Sequence, residues 1–323
     1  MTILGILGFP AVLFLASVAL TVLLIRVSGR IGLIDRPNHR SMHEKPTPRA
    51  GGIAIVVTWT VAILIAVPAR GALLSFYYPL LVSGLIIAIL GLLDDRYGLS
   101  ARLRLIVQIG TAALAIGLPV GIGIWVGEGG WGGIRADPAF GPGFFLKAIG
   151  LLAFVAISLA WMTNLYNFMD GIDGIAATQA VVCCWVYGIL SYQAGRPDLA
   201  AVFLMLSCSV AGFLVLNWRP AKIFMGDVGS GFLGYVLGFL GFVSVLPSNR
   251  ISLAAYLAPL MPFILDTGIT LGRRFLAGKK LTEAHREHFY QRLVQKGLSH
   301  QRVTLLYAMM GVIFSLPFLL WKG

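Results

Sequence analysis

Asn164-Leu165-Tyr166-Asn167-Phe168-Met169-Asp170-Gly171-Ile172-Asp173-Gly174 lies between two apolar runs, residues 145–163 and 175–192. Each run is about long enough to cross the hydrocarbon core of a bilayer, so two carboxylates and two carboxamides stand at a membrane edge. Ionisable groups are costly there and usually serve function. On a helix, residues three and four apart share a face, which would gather Asn164, Asn167 and Asp170 into one polar stripe. Gly171 and Gly174 weaken the helix and let backbone approach a ligand closely. Converging oxygen donors of this kind suit a hard divalent cation and the phosphates that travel with it.

The alternation of apolar run and polar break continues along the whole chain. Of the 323 residues 58% are hydrophobic and 12% charged, and the mean hydropathy is +0.87. That is far more apolar sequence than one soluble core can hide. Ten candidate spans follow: residues 2–25, 52–68, 76–93, 105–126, 145–163, 175–192, 199–217, 232–246, 251–271 and 303–321. The first lacks a basic leading region and is too long for a signal-peptide core, so it reads as a helix. The expected fold is all-α: a polytopic integral membrane protein of about ten transmembrane helices, forming one domain over residues 1–323.

Net charge of +12 would suit nucleic acid, but the placement of the charges excludes that partner. They sit in short loops between spans, where they set topology and meet anionic lipid or phosphate. With the N-terminus outside, the inner loops carry six Lys and Arg in 26–50, three in 94–104, two in 218–230 and eight in 273–302, against six on the outer side. The positive-inside rule therefore puts both termini outside. Nine acids fall on the inner side: Asp35, Glu44, Asp94, Asp95, Asp170, Asp173, Asp227, Glu283 and Glu287; only Glu128, Asp137 and Asp198 fall outside. One face carries the chemistry. The outer stretch 127–143, with Trp131 and Pro138, holds no catalytic groups. Cys183, Cys184 and Cys208 all lie in apolar runs and are odd in number, which fits neither a disulfide framework nor a zinc site; they read as packing residues.

Four further inner segments carry chemistry-bearing residues. Residues 32–52, with three prolines and paired glycines, read as an ordered irregular loop in which Arg36, Arg40, Lys45 and Arg49 can hold phosphate or anchor topology. Adjacent Asp94 and Asp95 repel unless a cation or shared proton relieves them. On a helix they point about 100° apart, so one faces a metal while the other takes a neighbouring donor or acts as base; a salt bridge to Arg102 or Arg104 is the alternative. In Gly226-Asp227-Val228-Gly229-Ser230-Gly231 a carboxylate stands among glycines before a span, suited to ligating a metal while backbone amides meet phosphate oxygens, or to capping the helix. In the basic segment 273–302, a helix would put His285, His288 and Arg292 on one face; the histidine pair can be zinc-like or solvated, and beside this much positive charge contact with an anionic leaving group is the favoured reading. Asp266 lies about two turns before Arg273 and is expected to form a buried structural pair with it.

Taken together, Asp94-Asp95, Asn164-x-x-Asn167-x-x-Asp170-Gly-x-Asp173-Gly, Gly226-Asp227-x-Gly229-Ser230 and a histidine-bearing basic loop resemble the polyprenyl-phosphate N-acetylhexosamine-1-phosphate transferases of glycosyltransferase family 4. The resemblance covers nearly the whole chain. It is strongest toward the branch that initiates O-antigen, through Asp35-Arg36-Pro37-Asn38, Arg40-Ser41-x-His43 and Pro46-Thr47-Pro48-Arg49-x-Gly51-Gly52. It implies that undecaprenyl phosphate attacks the sugar-linked phosphorus of a UDP-N-acetylaminosugar, forming lipid diphosphate-sugar and expelling UMP with the help of Mg²⁺, or Mn²⁺ in its place, at the cytoplasmic face of a bacterial inner membrane.

By motif, the resemblance makes Asp227, with Asp94, the metal ligands and Asp94 or Asp95 the base. Asn164, Asn167, Asp170 and Asp173 become the nucleotide and metal shell, and Arg49, Gly226, Ser230, His285, His288 and Arg292 substrate contacts. Gly98 stands where the peptidoglycan branch has Lys, and His285-Arg-Glu-His288 replaces consecutive histidines, which argues against a muramyl-pentapeptide donor. The partners implied are a UDP-N-acetylaminosugar, undecaprenyl phosphate and the lipid bilayer, with a homodimer as the assembly to test.

Two other classes use similar groups. A cation- or proton-coupled transporter could use Asp94, Asp170 and Asp266, but its acids should line the midplane between repeats, and no repeat is present. A CDP-alcohol phosphotransferase would need an arginine where Thr178 follows Asp173-Gly174-Ile175-Ala176-Ala177.

Overall fold

A polypeptide inside hydrocarbon must satisfy its own amides and carbonyls, and an unbroken helix does so locally. The computed structural model describes residues 3–37, 45–66, 72–126, 142–245, 251–280 and 285–320. Arg40, Ser41, His43, Glu44, the outer stretch 127–141 and Glu283 lie outside the described residues.

Helices α1 (Ile3–Ile31), α2 (Gly52–Ala66), α3 (Ala72–Tyr97), α4 (Ala101–Val126), α5 (Pro142–Phe168), α6 (Ile175–Gln193), α7 (Pro197–Asn217) and α8 (Gly226–Val245) follow one another. A broken ninth span comes next, α9 (Leu253–Leu257) running through a single 3₁₀ turn into α10 (Met261–Leu276). The short α11 (Phe289–Gln295) precedes α12 (His300–Leu320). Each of the ten expected spans falls on one of these helices. Among the described residues, eight stretches are long and apolar enough to cross a membrane, and Gly52–Ala66 is a shorter apolar helix.

Helix α8 is the axis of the bundle: its most apolar window is 89% buried, and it packs against α2, α3 and α5. Apolar helices gain little by hiding from apolar lipid, so close backbone approach at small residues drives their association. A Cβ at Gly52 would collide with the backbone of Gly229, and one at Gly91 with the backbone of Asp227. These two contacts clamp α2 and α3 onto the first turns of α8.

Where the ninth span breaks, helix α6 supplies partners for the freed carbonyls. Tyr187 donates to the Tyr256 carbonyl at 2.7 Å and Gln179 to that of Pro259. Cys183 and Cys184 are buried free thiols on the same helix and Cys208 is partly buried.

The loop expected to be wholly irregular contains a two-stranded antiparallel ribbon, β1 (Ile34–Asp35) against β2 (Thr47–Pro48), with Ile34 opposite Pro48 and Asp35 opposite Thr47. The cause lies outside the loop. Phe224 N donates to the Pro48 carbonyl at 2.8 Å, while Gly51 N and Gly52 N donate to the carbonyls of Phe224 and Met225 at 2.9 Å each. The ribbon is thereby strapped across the segment that leads into α8, which fixes where Arg49 points.

Candidate active site

Three helix ends and the strap meet at one end of the bundle. Asp94 and Asp95 come from the last turn of α3, Arg104 from the first turn of α4, Asp227 from the first turn of α8, and Arg49 from the strap just after β2. Asp95 spans the gap: its carboxylate accepts the Asp227 amide at 3.0 Å, the Val228 amide at 3.2 Å and Arg49 Nε at 2.7 Å. The free amides of a helix start need such an acceptor. Here it comes from another helix, so Asp95 rather than Asp227 caps α8. Gly226 is required at this junction, since its φ is +74° and a Cβ would lie 2.5 Å from Asp95 Oδ2.

Asp94 takes the other side of the same corner. Its carboxylate accepts the Leu99 amide at 2.6 Å and Arg104 Nη1 at 2.5 Å. Asp227 faces both arginines, with Arg49 Nη2 at 3.0 Å and Arg104 Nη1 at 3.6 Å. The side chains grade in openness: Asp95 is fully buried, Asp94 8% exposed and Asp227 21% exposed. The Arg104 pairing weighed in the sequence reading is thus present, and it is shared with Asp227.

The carboxamides line the adjoining wall. Asn164 donates to Gln108 Oε1 at 2.6 Å and to the Ala160 carbonyl at 2.7 Å; Asn167 donates to Ser230 Oγ at 3.0 Å. Helix α5 ends at Phe168, so Asn164 and Asn167 share the helical stripe while Asp170 stands past its end. Burial, together with the charge of Asp227, pushes the Asp170 carboxyl up to about 7, against the pull of Arg49.

Asp173 faces another set of partners. His300 Nδ1 lies 3.4 Å from its carboxylate, the Ala221 amide donates at 3.3 Å and Arg219 stands at 3.7 Å. Burial works against its ionisation, but His300, the Ala221 amide and Arg219 together hold it below the usual carboxylate range.

Two expectations for the basic segment need correction. His285, His288 and Arg292 do not share a helix face: α11 begins at Phe289 with His288 as its capping residue, and His285 precedes it without helical structure. The two imidazoles nevertheless stack, with centroids 4.9 Å apart. His288 is buried, whereas Arg292 is exposed. His285 Nδ1 accepts the Glu287 amide at 3.3 Å, leaving Nε2 as its protonated donor. Burial, then the neighbouring His288 and Arg274, lower the His285 value to about 4. The second correction concerns Asp266, which is buried as expected but binds His288 and the start of α11 instead of Arg273.

His300 and Asn217 were missed by the sequence reading. Asn217 accepts the Gly174 amide at 3.1 Å and donates to the Ile223 carbonyl at 2.9 Å, tying the two acid-bearing loops together. A carboxamide closing an otherwise apolar span was the available signal. His300 stood apart from every motif and gave none.

Whether a divalent cation suits the corner turns on its donors. Among the described residues no group of three or more His, Cys, Asp or Glu is arranged to hold a metal. Mg²⁺ commonly needs only one or two carboxylates, the rest of its shell being water and substrate phosphate. Asp94 and Asp227 converge on one cationic nitrogen, Arg104 Nη1, so their oxygens already share a position that positive charge occupies. The donor set fits.

Comparison with known proteins identifies the family. The pattern of Glycosyl transferase family 4 matches residues 77–245, the stretch that carries Asp94, Asp95, Asn164, Asn167, Asp170, Asp173 and Asp227. The probable undecaprenyl-phosphate N-acetylglucosaminyl 1-phosphate transferase of Bacillus subtilis (strain 168) is 31% identical over 97% of this chain and 85% of its own length. The decaprenyl-phosphate N-acetylglucosaminephosphotransferase of Mycolicibacterium smegmatis is 32% identical over 88% of this chain and 74% of its own. The undecaprenyl-phosphate alpha-N-acetylglucosaminyl 1-phosphate transferase of Yersinia pestis is 29% identical over 93% and 82%.

Proposed function

The chain belongs to glycosyl transferase family 4, and from that premise we propose that it transfers an N-acetylaminosugar 1-phosphate from a UDP-sugar to undecaprenyl phosphate, releasing UMP. The product is the first lipid-linked intermediate of a cell-surface polysaccharide, O-antigen or a related glycan. The observation that carries this reading is the convergence of Asp94, Asp95 and Asp227 from two helices onto Arg49 and Arg104 at one end of a membrane-length bundle. A lipid phosphate can reach such a corner from the bilayer, and a nucleotide sugar from the cytoplasm.

Phosphoryl transfer between two anions depends on positioning and charge compensation more than on covalent help from the protein. Arg49 and Arg104 supply fixed positive charge. Asp227 and Asp94 would hold Mg²⁺, or Mn²⁺ in its place, which offsets the diphosphate charge and activates the phosphoryl group. Asp95 has its oxygens engaged by two amides and Arg49, so its part is to fix the start of α8 and the arginine. Asp170 titrates near neutrality and is suited to accept the proton of a monoprotonated lipid phosphate. Asn164 and Asn167 orient the nucleotide. His285, neutral above about pH 4, presents its Nε2–H toward the sugar phosphate.

Purified protein in lipid nanodiscs, given undecaprenyl phosphate, Mg²⁺ and a panel of UDP-N-acetylaminosugars, tests the reading. UMP release with one donor, absent in Asp227→Asn, is expected and identifies the aminosugar. UDP release would instead mean transfer of the sugar alone.

A further inference from the structure

Asp266 is the most completely coordinated carboxylate among the described residues, and nothing in the transfer chemistry calls for it. Oδ1 accepts the Phe289 amide at 2.7 Å, Thr270 Oγ1 at 3.2 Å and His288 Nδ1 at 3.3 Å. Oδ2 accepts the Tyr290 amide at 3.0 Å and the Tyr307 hydroxyl at 2.6 Å. Five donors fill the lone-pair sites of a carboxylate, so Asp266 has no oxygen left for a metal, a proton or a substrate.

Its partners lead toward the site. His288 lies between three rings: His285 at 4.9 Å, Tyr290 at 5.9 Å and Phe168 at 6.2 Å between centroids. Tyr290 is wholly buried and donates from its hydroxyl to the Phe168 carbonyl at 3.1 Å, two residues before Asp170. A Cβ at Gly171 would sit on that hydroxyl. Arg274, buried on α10, pins the same segment through Glu287 at 2.9 Å and the Lys280 carbonyl at 2.8 Å.

We propose that Asp266 is a positioning residue for the transfer reaction: by fixing the His288 ring and the first amides of α11, it sets the imidazole of His285 that stacks on His288. This rests on the proposed phosphosugar transfer and adds to it a residue that touches neither substrate nor metal. Tyr290 makes the device two-sided, because the helix that Asp266 caps also leans on the backbone entering the Asp170 loop.

A double-mutant cycle on the full-length protein decides it. Asp266→Asn keeps an acceptor for the α11 amides but replaces one carboxylate oxygen with an NH₂ donor and so loosens the hold on His288; kcat should fall about 30-fold with KM for undecaprenyl phosphate unchanged. In a His285→Ala background the same substitution should cost no more than about twofold, because residues acting through one group are not additive. Losses that multiply would overturn the proposal, since a merely structural defect adds to any other. If Asp266→Asn does not purify as a monodisperse species, Tyr307→Phe takes its place, with an expected loss of about fivefold that likewise disappears without His285; a loss that persists there overturns the proposal.

Histidine-selective NMR supplies a readout independent of turnover. The His285 ring signal should shift and broaden in Asp266→Asn, and an unchanged signal removes the role. The two readings fail separately: wild-type protein that moves no phosphosugar removes the transfer reading, and the ring signal still decides for Asp266.

Discussion

Asp227, in the first turn of α8, and Asp266, within α10, are both helix-borne carboxylates, yet they are held in opposite ways. Asp227 is 21% exposed, and its ion-pair partners are the side chains of Arg49 and Arg104, each about 30% exposed. Asp266 is 2% exposed and takes two of its five donors from backbone amides. Side chains at the end of long flexible stems can let go when a ligand arrives; amides of a folded helix cannot. The first arrangement exchanges partners and so can do chemistry. The second keeps them and so sets geometry.

The sharpest way to break this contrast is to neutralise the exchanging acid. Asp227→Asn should lower turnover at least about 1,000-fold, on the scale of losing a key transition-state electrostatic contact, while melting and gel filtration stay as in wild type. Retained Mg²⁺-dependent activity would take Asp227 out of the ligand set. Asp266→Ala should show the reverse emphasis: two amides, two hydroxyls and an imidazole lose their acceptor, destabilising the fold by about 2–4 kcal/mol, read as a lower melting temperature. Equal stability in the two variants would erase the distinction.

Asp170 sharpens it from another side. A carboxyl must be ionised to accept a proton, so with its value raised to about 7, kcat/KM should fall as pH drops below 7. Because neighbouring positive charge favours the ionised form, raising Mg²⁺ should move that limb to lower pH. Asp170→Asn should abolish the limb along with most of the activity; a limb that survives belongs to another group. The smallest effect is expected at Cys183, a buried free thiol on α6, where Cys183→Ser should change turnover less than twofold. A large loss would show that the thiol does more than pack.

Much of this was legible in the sequence, for physical reasons. Hydrocarbon enforces a local rule, helix wherever the run is apolar, and all ten expected spans fall on helices. Motif spacing brought Asp94, Asp95, Asn167 and Asp227 into one corner, because each stands at the end of its helix on the same side of the bundle. What failed depended on partners distant in sequence. The eighth span begins at Gly226 instead of residue 232 because Asp95, on another helix, caps it. The helix expected across His285 and His288 starts only at Phe289, where Asp266 takes its first amides. Asp266 itself was paired with Arg273 by nearness along the chain, whereas apart from Thr270 on its own helix its partners are His288, the first amides of α11 and Tyr307 of α12. Periodicity reports what a residue's own helix does, and these contacts are made between helices.

The most direct measurement follows the phosphorus. UDP-N-acetylglucosamine labelled at the β-phosphate, incubated with the protein, undecaprenyl phosphate and Mg²⁺, should deliver its label to the organic phase as lipid diphosphate-sugar, with unlabelled UMP left in water. Label that stays in aqueous UDP while sugar moves to the lipid would contradict phosphosugar transfer at this site.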